Sequence, residues 1–260
     1  MSVWLPSAVL IISLVAAPAL APAKRSCAEI EAFMRKANVK VLSGVQAMMD
    51  DGTMQHRAFL HSDDEAYRTD QRFRDTWKAN VAAYELAKIL EINVIPPYVE
   101  LQVNGKPNSV SWGLDDVIMD DVQRIQRNAQ PPDLEAFNKQ MYVVHVVDEL
   151  IYGGRAPSDL LITKDWQLWM IGPSLGFMPY KTLKSPGSLV KSDRKLLAKM
   201  RTLDRATLTS KLGRWLTPDE IDALYARAGL IVAFFDREIA SKGEAAVLFD
   251  LDRSGSPCAL

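Results

Sequence analysis

The fold is decided by residues 148–177, which read DELIYGGRAPSDLLITKDWQLWMIGPSLGF. The pattern predicts the end of an amphipathic helix, a GGRAP loop, and a tight hairpin with arms Leu160–Thr163 and Gln167–Ile171. The chain before this stretch favours a smaller part that mixes strands and helices, and the chain after it favours a helical part. A loop and a hairpin between two such parts are where a nucleotide-binding cleft is expected.

Composition places the chain among ordinary globular proteins. It has 260 residues, of which 48% are hydrophobic and 24% charged, enough for a full core. The formal net charge is -1, so no broad basic surface is expected to hold nucleic acid or an anionic membrane. We therefore expect the partner to be a protein or a small-molecule ligand.

The N-terminus predicts export. Residues 3–20 are apolar apart from two serines, and Ala21-Pro22-Ala23 gives a small-x-small cleavage pattern before Lys24. We expect residues 1–23 to be a signal peptide and the mature protein to be periplasmic or extracellular, without a stable membrane span. The alternative is an uncleaved N-terminal anchor, which two internal prolines and a run shorter than about 20 residues disfavour.

Cys27 and Cys258 are the two cysteines of the chain, one near each end of the mature protein. In an exported protein they can form a disulfide that ties the termini together. The alternative is two free thiols on frayed ends, and the sequence leaves both open. A metal site or catalytic thiol is not indicated, because neither cysteine has a ligand at metal-binding spacing.

The first third predicts an α/β arrangement. Ala28–Lys36 has a helical pattern, and Asn38–Leu42 and Arg57–His61 are strand candidates. Ser62–Arg72 is polar and predicts a loop. Asp75–Leu90 predicts an amphipathic helix, which the prolines that follow it prevent from continuing.

Tyr98–Leu114 predicts a hairpin with one buried face, because hydrophobic residues alternate on both sides of an Asn-Gly-Lys-Pro turn. Four carboxylates follow within seven residues. They can form a cation site or a solvated connector, and we favour the connector. These residues are Asp115, Asp116, Asp120 and Asp121.

The rest of the chain predicts helices. Asp133 is a predicted N-cap for a buried central helix reaching Ile151, and Lys191–Leu203 predicts another. Thr217-Pro218-Asp219-Glu220 is typical of a helix start. The three histidines are far apart in sequence, so no histidine-based metal site or catalytic triad is predicted.

Several stretches resemble a bacterial family of atypical kinase-like proteins related to phosphatidylinositol 3/4-kinase and HipA-type enzymes. They are VAAYEL (81–86), VIPPYV (94–99), DELIY (148–152) and LLITKDWQLWMI (160–171), with looser matches at 204–216 and 243–248. The resemblance covers roughly residues 55–250. It implies an α+β, bilobal protein-kinase-like fold with a small β-rich N-lobe and a mostly helical C-lobe.

The resemblance also suggests boundaries for the parts of the chain. Residues 24–54 are expected to be an N-terminal extension or the start of the N-lobe, and residues 55–120 the kinase-like N-lobe. Residues 121–250 are expected to form the C-lobe, and residues 251–260 a flexible tail.

In the N-lobe, the resemblance implies that phosphate-binding groups are missing. Relatives have a lysine at the end of the strand that here reads RAFLH, where this chain has His61 or Leu60. They have a glutamate just before the VAAYEL stretch, where this chain has Asn80. Phosphoryl transfer depends on such a cation to position the phosphates of ATP.

In the C-lobe, the resemblance implies the loss of the base and of a magnesium ligand. The catalytic loop of relatives keeps only its arginine here, as Arg155, which is expected to pair with a neighbour. Asp159 lies where a metal-binding asparagine is expected, and Gly172 replaces the principal magnesium carboxylate. One carboxylate alone is a poor magnesium site.

These replacements predict an exported pseudokinase-like protein that acts by binding or scaffolding, without phosphotransfer and without bound ATP or Mg²⁺. No catalytic or metal-binding residue is predicted, and His61, Asn80, Arg155 and Asp159 are expected to mark the degenerate cleft. One alternative is an active atypical kinase or nucleotidyl-transfer enzyme whose rearranged metal site uses Asp159, with Asp165 or the 115–121 carboxylates. Another is an unrelated secreted α/β binding protein.

Overall fold

The structure, a computed structural model, describes residues 25–68 and 73–252. The predicted signal peptide, Cys258 and residues 253–260 of the predicted tail lie outside the described residues. No described cysteine is a free thiol, and the bridge between Cys27 and Cys258 stays a prediction.

Twelve strands and eight α-helices make up the described part of the chain. The strands are β1 (Asn38–Ser43), β2 (Gln46–Asp50), β3 (Gln55–His61), β4 (Asp64–Arg68), β5 (Phe73–Thr76), β6 (Tyr98–Val103), β7 (Lys106–Trp112), β8 (Val117–Asp120), β9 (Leu160–Thr163), β10 (Leu168–Met170), β11 (Ser192–Asp193) and β12 (Leu248–Phe249). The helices are α1 (Cys27–Lys36), α2 (Trp77–Leu90), α3 (Asp121–Gln126), α4 (Leu134–Ile151), α5 (Arg194–Arg201), α6 (Arg205–Leu212), α7 (Pro218–Lys242) and α8 (Glu244–Val247).

The N-lobe is built on a five-stranded antiparallel sheet in the order β1-β2-β3-β7-β6. The predicted β6–β7 hairpin is confirmed, and its turn places Asn104 and Gly105 at positive φ. Both residues tolerate the left-handed region, which a two-residue hairpin turn of this kind requires. The meander β1-β2-β3 is joined to the β6–β7 hairpin by the pairing of β3 with β7, so β3 is the central strand of the sheet.

One face of this sheet is covered by α1. The helix begins at a Ser26 capping box and buries Ile30, Phe33 and Met34 against Val110 and Trp112. Because side chains alternate along a strand, the α1 side of β3 carries Ala58, and the opposite face carries the strand's last residue.

The other face of the N-lobe meets α2, which joins the two lobes. The helix begins at its N-cap Thr76 and is buried along nearly its whole length, in the same hydrophobic core as α4, α5, α6 and α7. The sequence predicted a start at Asp75, but Asp75 and Thr76 belong to β5. The predicted loop at 62–72 is also wrong in part, because β4 lies inside it and pairs with β5.

The C-lobe is mostly helical. The predicted β9–β10 hairpin is confirmed and forms a three-stranded sheet with β8. The predicted helix starts at Asp133 and Thr217 are also confirmed, since both side chains accept backbone N–H groups of the first turn. The short helix α6 was not predicted from the sequence.

A helix that crosses a membrane needs about 20 mostly apolar residues. Within residues 25–68 and 73–252, no helix combines the length and the apolar character needed to cross a bilayer.

Candidate functional site

The candidate site lies where β6 meets the loop and hairpin of residues 153–172. The backbone N–H of Met170 donates to Val94 O at 2.6 Å, and the N–H of Gly172 donates to the hydroxyl of Tyr98 at 3.0 Å. On the same strand, Glu100 accepts a hydrogen bond from Trp215 Nε1 at 2.9 Å. These contacts fix the N-lobe against the C-lobe along one edge of the cleft.

Gly172 occupies the position where the kinase-like resemblance places a magnesium carboxylate. Its backbone is left-handed, with φ 59° and ψ 44°, and a Cβ built there meets no atom within 4 Å. Burial raises the pKa of Tyr98 to about 12, so this hydroxyl stays neutral at physiological pH and accepts the Gly172 N–H. The position is open, but it carries no charge.

Pro173 follows Gly172 and is buried at the start of a 3₁₀ turn that contacts α2 and β5. The segment after the hairpin is therefore packed into the lobe interface. Neither residue offers a side-chain ligand for a cation, because the side chains of glycine and proline carry no oxygen, nitrogen or sulfur ligand atom.

Arg155 is bound to Asp148 within the loop that follows α4. Its Nε and Nη2 donate to the same oxygen, Asp148 Oδ2, at 3.1 and 2.9 Å, and its Nη1 donates to Ala156 O. The arginine that survives from the catalytic loop is thus engaged in holding that loop, as the sequence predicted.

Asp159 also forms hydrogen bonds within its own loop and to the end of the hairpin. Its carboxylate accepts the backbone N–H of Ala156 at 2.9 Å and closes the short 3₁₀ turn Pro157–Asp159. Its carbonyl accepts the N–H of Ile171 at 2.9 Å, which attaches the loop to the end of the hairpin. In the alternative metal site, Asp165 would be the second ligand, but its carboxylate accepts the hydroxyl of Thr163 at 2.6 Å.

The predicted N-lobe positions come together around Ser109 on β7. His61 pairs with Ser109 in the strand register, and the buried Asn80 of α2 donates from Nδ2 to Ser109 Oγ at 2.9 Å. The Asn80 Oδ1 atom has no hydrogen-bond partner in the described part of the chain. A neutral amide therefore occupies the position where relatives have a glutamate, and it is bound to a hydroxyl.

His61 faces two carboxylates that the sequence did not single out. Its Nε2 donates to Asp75 Oδ1 at 2.9 Å, and one ligand atom each from His61, Asp63 and Asp75 lie within 4.8 Å of one another. The expectation that no histidine-based cluster exists overlooked this arrangement. The His-x-Asp spacing of residues 61–63 was visible, but Asp75 joins only through the unpredicted β4–β5 pairing.

The four carboxylates of residues 115–121 do not form a shared cation site. Asp115 lies 3.9 Å from Arg57 Nη2, and Asp116 forms an ion pair with Lys164. Asp120 caps α3 by accepting the N–H of Gln123, while Asp121 pairs with Arg124. The expectation of a solvated connector holds for the exposed Asp115 and Asp116 but is wrong for Asp120 and Asp121, because Asp120 ends β8 and Asp121 is buried.

Two buried arginines lie behind the cleft. Arg74 of β5 forms an ion pair with Glu220 of α7 and donates to Phe177 O. Burial lowers the pKa of Arg74, and the Glu220 carboxylate opposes that shift. Arg227 of α7 donates to three backbone carbonyls, and burial lowers its pKa to about 10. Both remain cationic at physiological pH.

A cavity of about 620 Å³ opens beside this pair of arginines, next to the Gly153–Gly154 backbone. Its walls combine aromatic rings with two basic side chains. Its lining includes Tyr67, Arg74, Tyr152, Tyr180 and Lys184.

No protein-family model matches this chain, and no curated protein does. Among solved structures it is similar to hydra Fam20 with sugar, at 12% identity over 86% of this chain and 92% of that chain, with a TM-score of 0.59. The Golgi casein kinase matches at 11% identity over 84% and 77%, with a TM-score of 0.53. The proinflammatory kinase CtkA of Helicobacter pylori matches at 9% over 78% and 96%, with a TM-score of 0.50.

The fold is kinase-like. At these identities the similarity extends to the architecture alone, with a β-sheet N-lobe and a helical C-lobe. The predicted α+β, bilobal fold is confirmed, and the predicted resemblance to kinase-like proteins is confirmed at this level.

Proposed function

We propose that this chain is an exported pseudokinase-like protein, related to the phosphatidylinositol 3/4-kinase and HipA-type branch, that acts by binding or scaffolding. The observation that carries the proposal is Gly172: a cleft that transfers phosphate needs a carboxylate there, and the chain offers an uncharged backbone. Its N–H is bound to Tyr98.

The remaining groups of the cleft do not supply the missing chemistry. Catalysis of phosphoryl transfer depends on fixed charges aimed at the transferring group and at its metal ions. Arg155 is neutralised by Asp148, Asp159 is occupied by a turn, and Asn80 is neutral. Among the described residues, the metal-ligating side chains that lie together in a group of three or more are His61, Asp63 and Asp75, and Gly172 adds no carboxylate to a magnesium site.

The large cavity supports a binding role. Its volume of about 620 Å³ lies within the range of small-molecule sites, which are mostly apolar with a few placed polar groups. Tyr67, Tyr152 and Tyr180 supply rings, and Lys184 supplies positive charge. A small molecule or a peptide segment with an aromatic body and an anionic group fits this lining.

The test is a thermal-shift titration of the full chain with millimolar Mg²⁺-ATP. A ligand that binds only the folded state raises the melting temperature by mass action, and we expect no shift for the natural chain. A rise of several degrees, or phosphate release that disappears in Asp159→Ala, would overturn the proposal.

A matched variant, Gly172→Asp, tests whether the missing carboxylate at position 172 is the reason for the expected lack of Mg²⁺-ATP binding. The site has room for the side chain, and aspartate is among the residues that tolerate the left-handed region. We expect this variant to fold and to gain only a small Mg²⁺-dependent rise in melting temperature with ATP, because a single carboxylate is a poor magnesium site. A variant that folds and behaves like the natural chain would show that the lost carboxylate alone does not explain the inert cleft.

A further inference from the structure

We propose that His61, Asp63 and Asp75 form a binding site for a first-row divalent transition-metal ion. The three side chains come from the end of β3, from the β3–β4 connection and from β5, just before α2. β5 also contacts the 3₁₀ turn that follows Gly172, so the site lies beside that part of the cleft, but the proposal does not depend on the protein being inert toward ATP.

The distances suit a shared ion. One imidazole nitrogen and two carboxylate oxygens lie within 4.8 Å of one another, and His61 Nε2 lies 2.9 Å from Asp75 Oδ1. Metal–ligand bonds of about 2.0–2.2 Å place neighbouring ligand atoms roughly 3 Å apart. Side-chain rotation of Asp63 alone closes most of the remaining gap, because that residue is exposed.

The backbone around the cluster is fixed. Trp77 N–H donates to Asp63 O at 2.7 Å, and the register of β4 and β5 pairs Asp64 with Thr76. The Asp64 carboxylate binds Thr76 Oγ1 and Lys78 Nζ, both at 2.7 Å. The Asp64 carboxylate is therefore bound to Thr76 and Lys78, whereas the adjacent Asp63 carboxylate faces His61 and Asp75.

The charge of the cluster favours a cation. In residues 25–68 and 73–252, no lysine or arginine forms an ion pair with Asp63 or Asp75. Two carboxylates close to one another repel unless a proton or a cation lies between them. A divalent ion satisfies both carboxylates and replaces the proton on His61 Nε2.

The ligand set selects the class of ion. One imidazole with two carboxylates suits Zn²⁺, Ni²⁺, Co²⁺ or Mn²⁺, whereas Mg²⁺ and Ca²⁺ prefer oxygen ligands throughout. His61 and Asp63 also line a cavity of about 430 Å³ that includes Lys106 and Asn108. This space admits the water molecules or the small anion that complete the coordination.

The test is calorimetric titration of the full chain with Ni²⁺ and, separately, with Mg²⁺. We expect one saturable Ni²⁺ site, at least tenfold weaker in Asp63→Asn and lost in His61→Gln, and no comparable Mg²⁺ binding. Asp63→Asn keeps the shape of an exposed side chain, so the fold should be unchanged. Asp115→Asn, in another exposed carboxylate, should bind Ni²⁺ like the natural chain.

Histidine side-chain NMR locates the ion directly, because the chain has three histidines. Substoichiometric Mn²⁺ should broaden the ring signals of His61 and spare those of His56 and His145. Absence of saturable Ni²⁺ binding, equal binding in Asp63→Asn, or equal broadening of all three histidines would each overturn the proposal.

Discussion

Two sets of polar contacts differ in what they connect. We call the Arg74–Glu220 and Tyr98–Gly172 contacts between the lobes the interlobe frame, and we call residues 153–159, the loop after α4, the cleft loop. In the frame, Arg74 and Glu220 form an ion pair in which the side chains are 3% and 8% exposed. In the cleft loop, Arg155 and Asp148 form a pair that is 15% and 22% exposed. The frame connects β5 to α7 across the lobes, whereas the loop pair closes a turn within one lobe.

This difference shows that the contacts between the lobes and the expected catalytic positions depend on different groups. The contacts that hold the lobes together include the Arg74–Glu220 ion pair and the Tyr98–Gly172 hydrogen bond, and Gly172, the expected catalytic position among them, contributes only its backbone N–H. Replacing a carboxylate by glycine at position 172 therefore leaves the frame intact. Architecture and phosphotransfer chemistry depend on different atoms of this molecule.

The largest expected effect comes from breaking the frame. Arg74→Met leaves the Glu220 carboxylate buried without its cation, and removing one partner of a buried ion pair costs about 3–5 kcal/mol. We expect a loss of this size in the free energy of unfolding, measured by urea denaturation. The fold itself should remain that of the natural chain in the absence of denaturant.

The control is the double variant Arg74→Met with Glu220→Gln. Glutamine keeps an oxygen that can accept the Thr217 N–H of the α7 capping box but removes the buried charge. The double variant should therefore be more stable than Arg74→Met alone. A loss under about 1 kcal/mol for Arg74→Met would contradict the view that this pair holds the lobes together.

A smaller effect is expected in the cleft loop. Arg155→Ala removes two hydrogen bonds from Asp148 Oδ2, but water reaches this pair, so we expect a loss of about 1–2 kcal/mol. Arg155→Lys should recover part of it. If Arg155→Ala instead destabilised the protein as much as Arg74→Met, the distinction between frame and loop would fail.

The sequence was sufficient where local chemistry determines the structure. The Asn104-Gly105 turn determines the β6–β7 hairpin, and the Thr217–Glu220 capping box determines the start of α7. Helix α6 was missed because its sequence, RATLTSKL, has little amphipathic pattern. Strand β4 was missed because its residues are largely exposed and show no alternation.

The candidate site was predictable only in part, for the same reason. Gly172 and Arg155 were found through resemblance to kinase-like proteins, and the structure supplies their partners, Tyr98 and Asp148. The cluster of His61 with Asp63 and Asp75 depends on the register between β4 and β5. No periodicity in the sequence encodes that register, so Asp75 could not be assigned to it in advance.

The smallest expected effect is on the pH dependence of stability, and it comes from His56, which lies on the face of the sheet opposite His61. His56 stacks on Trp112 with ring centroids 3.3 Å apart, and burial lowers the pKa of His56, although the Gly113 carbonyl opposes this shift. A folded-state pKa below the unfolded value means that the unfolded chain binds the proton more tightly. The contribution of His56 to stability is therefore complete above about pH 6.5 and is lost as the pH falls toward the folded-state pKa.

Urea unfolding at about pH 7.5 and about pH 5 measures this linkage. The natural chain should lose more stability between these values than His56→Gln does, and NMR titration of the His56 ring should give a pKa below that of an unfolded peptide. Because His56 faces α1 rather than the metal cluster, the difference should persist when no metal is added. A His56→Gln variant with the same pH slope as the natural chain would show that the stacked ring is not linked to folding.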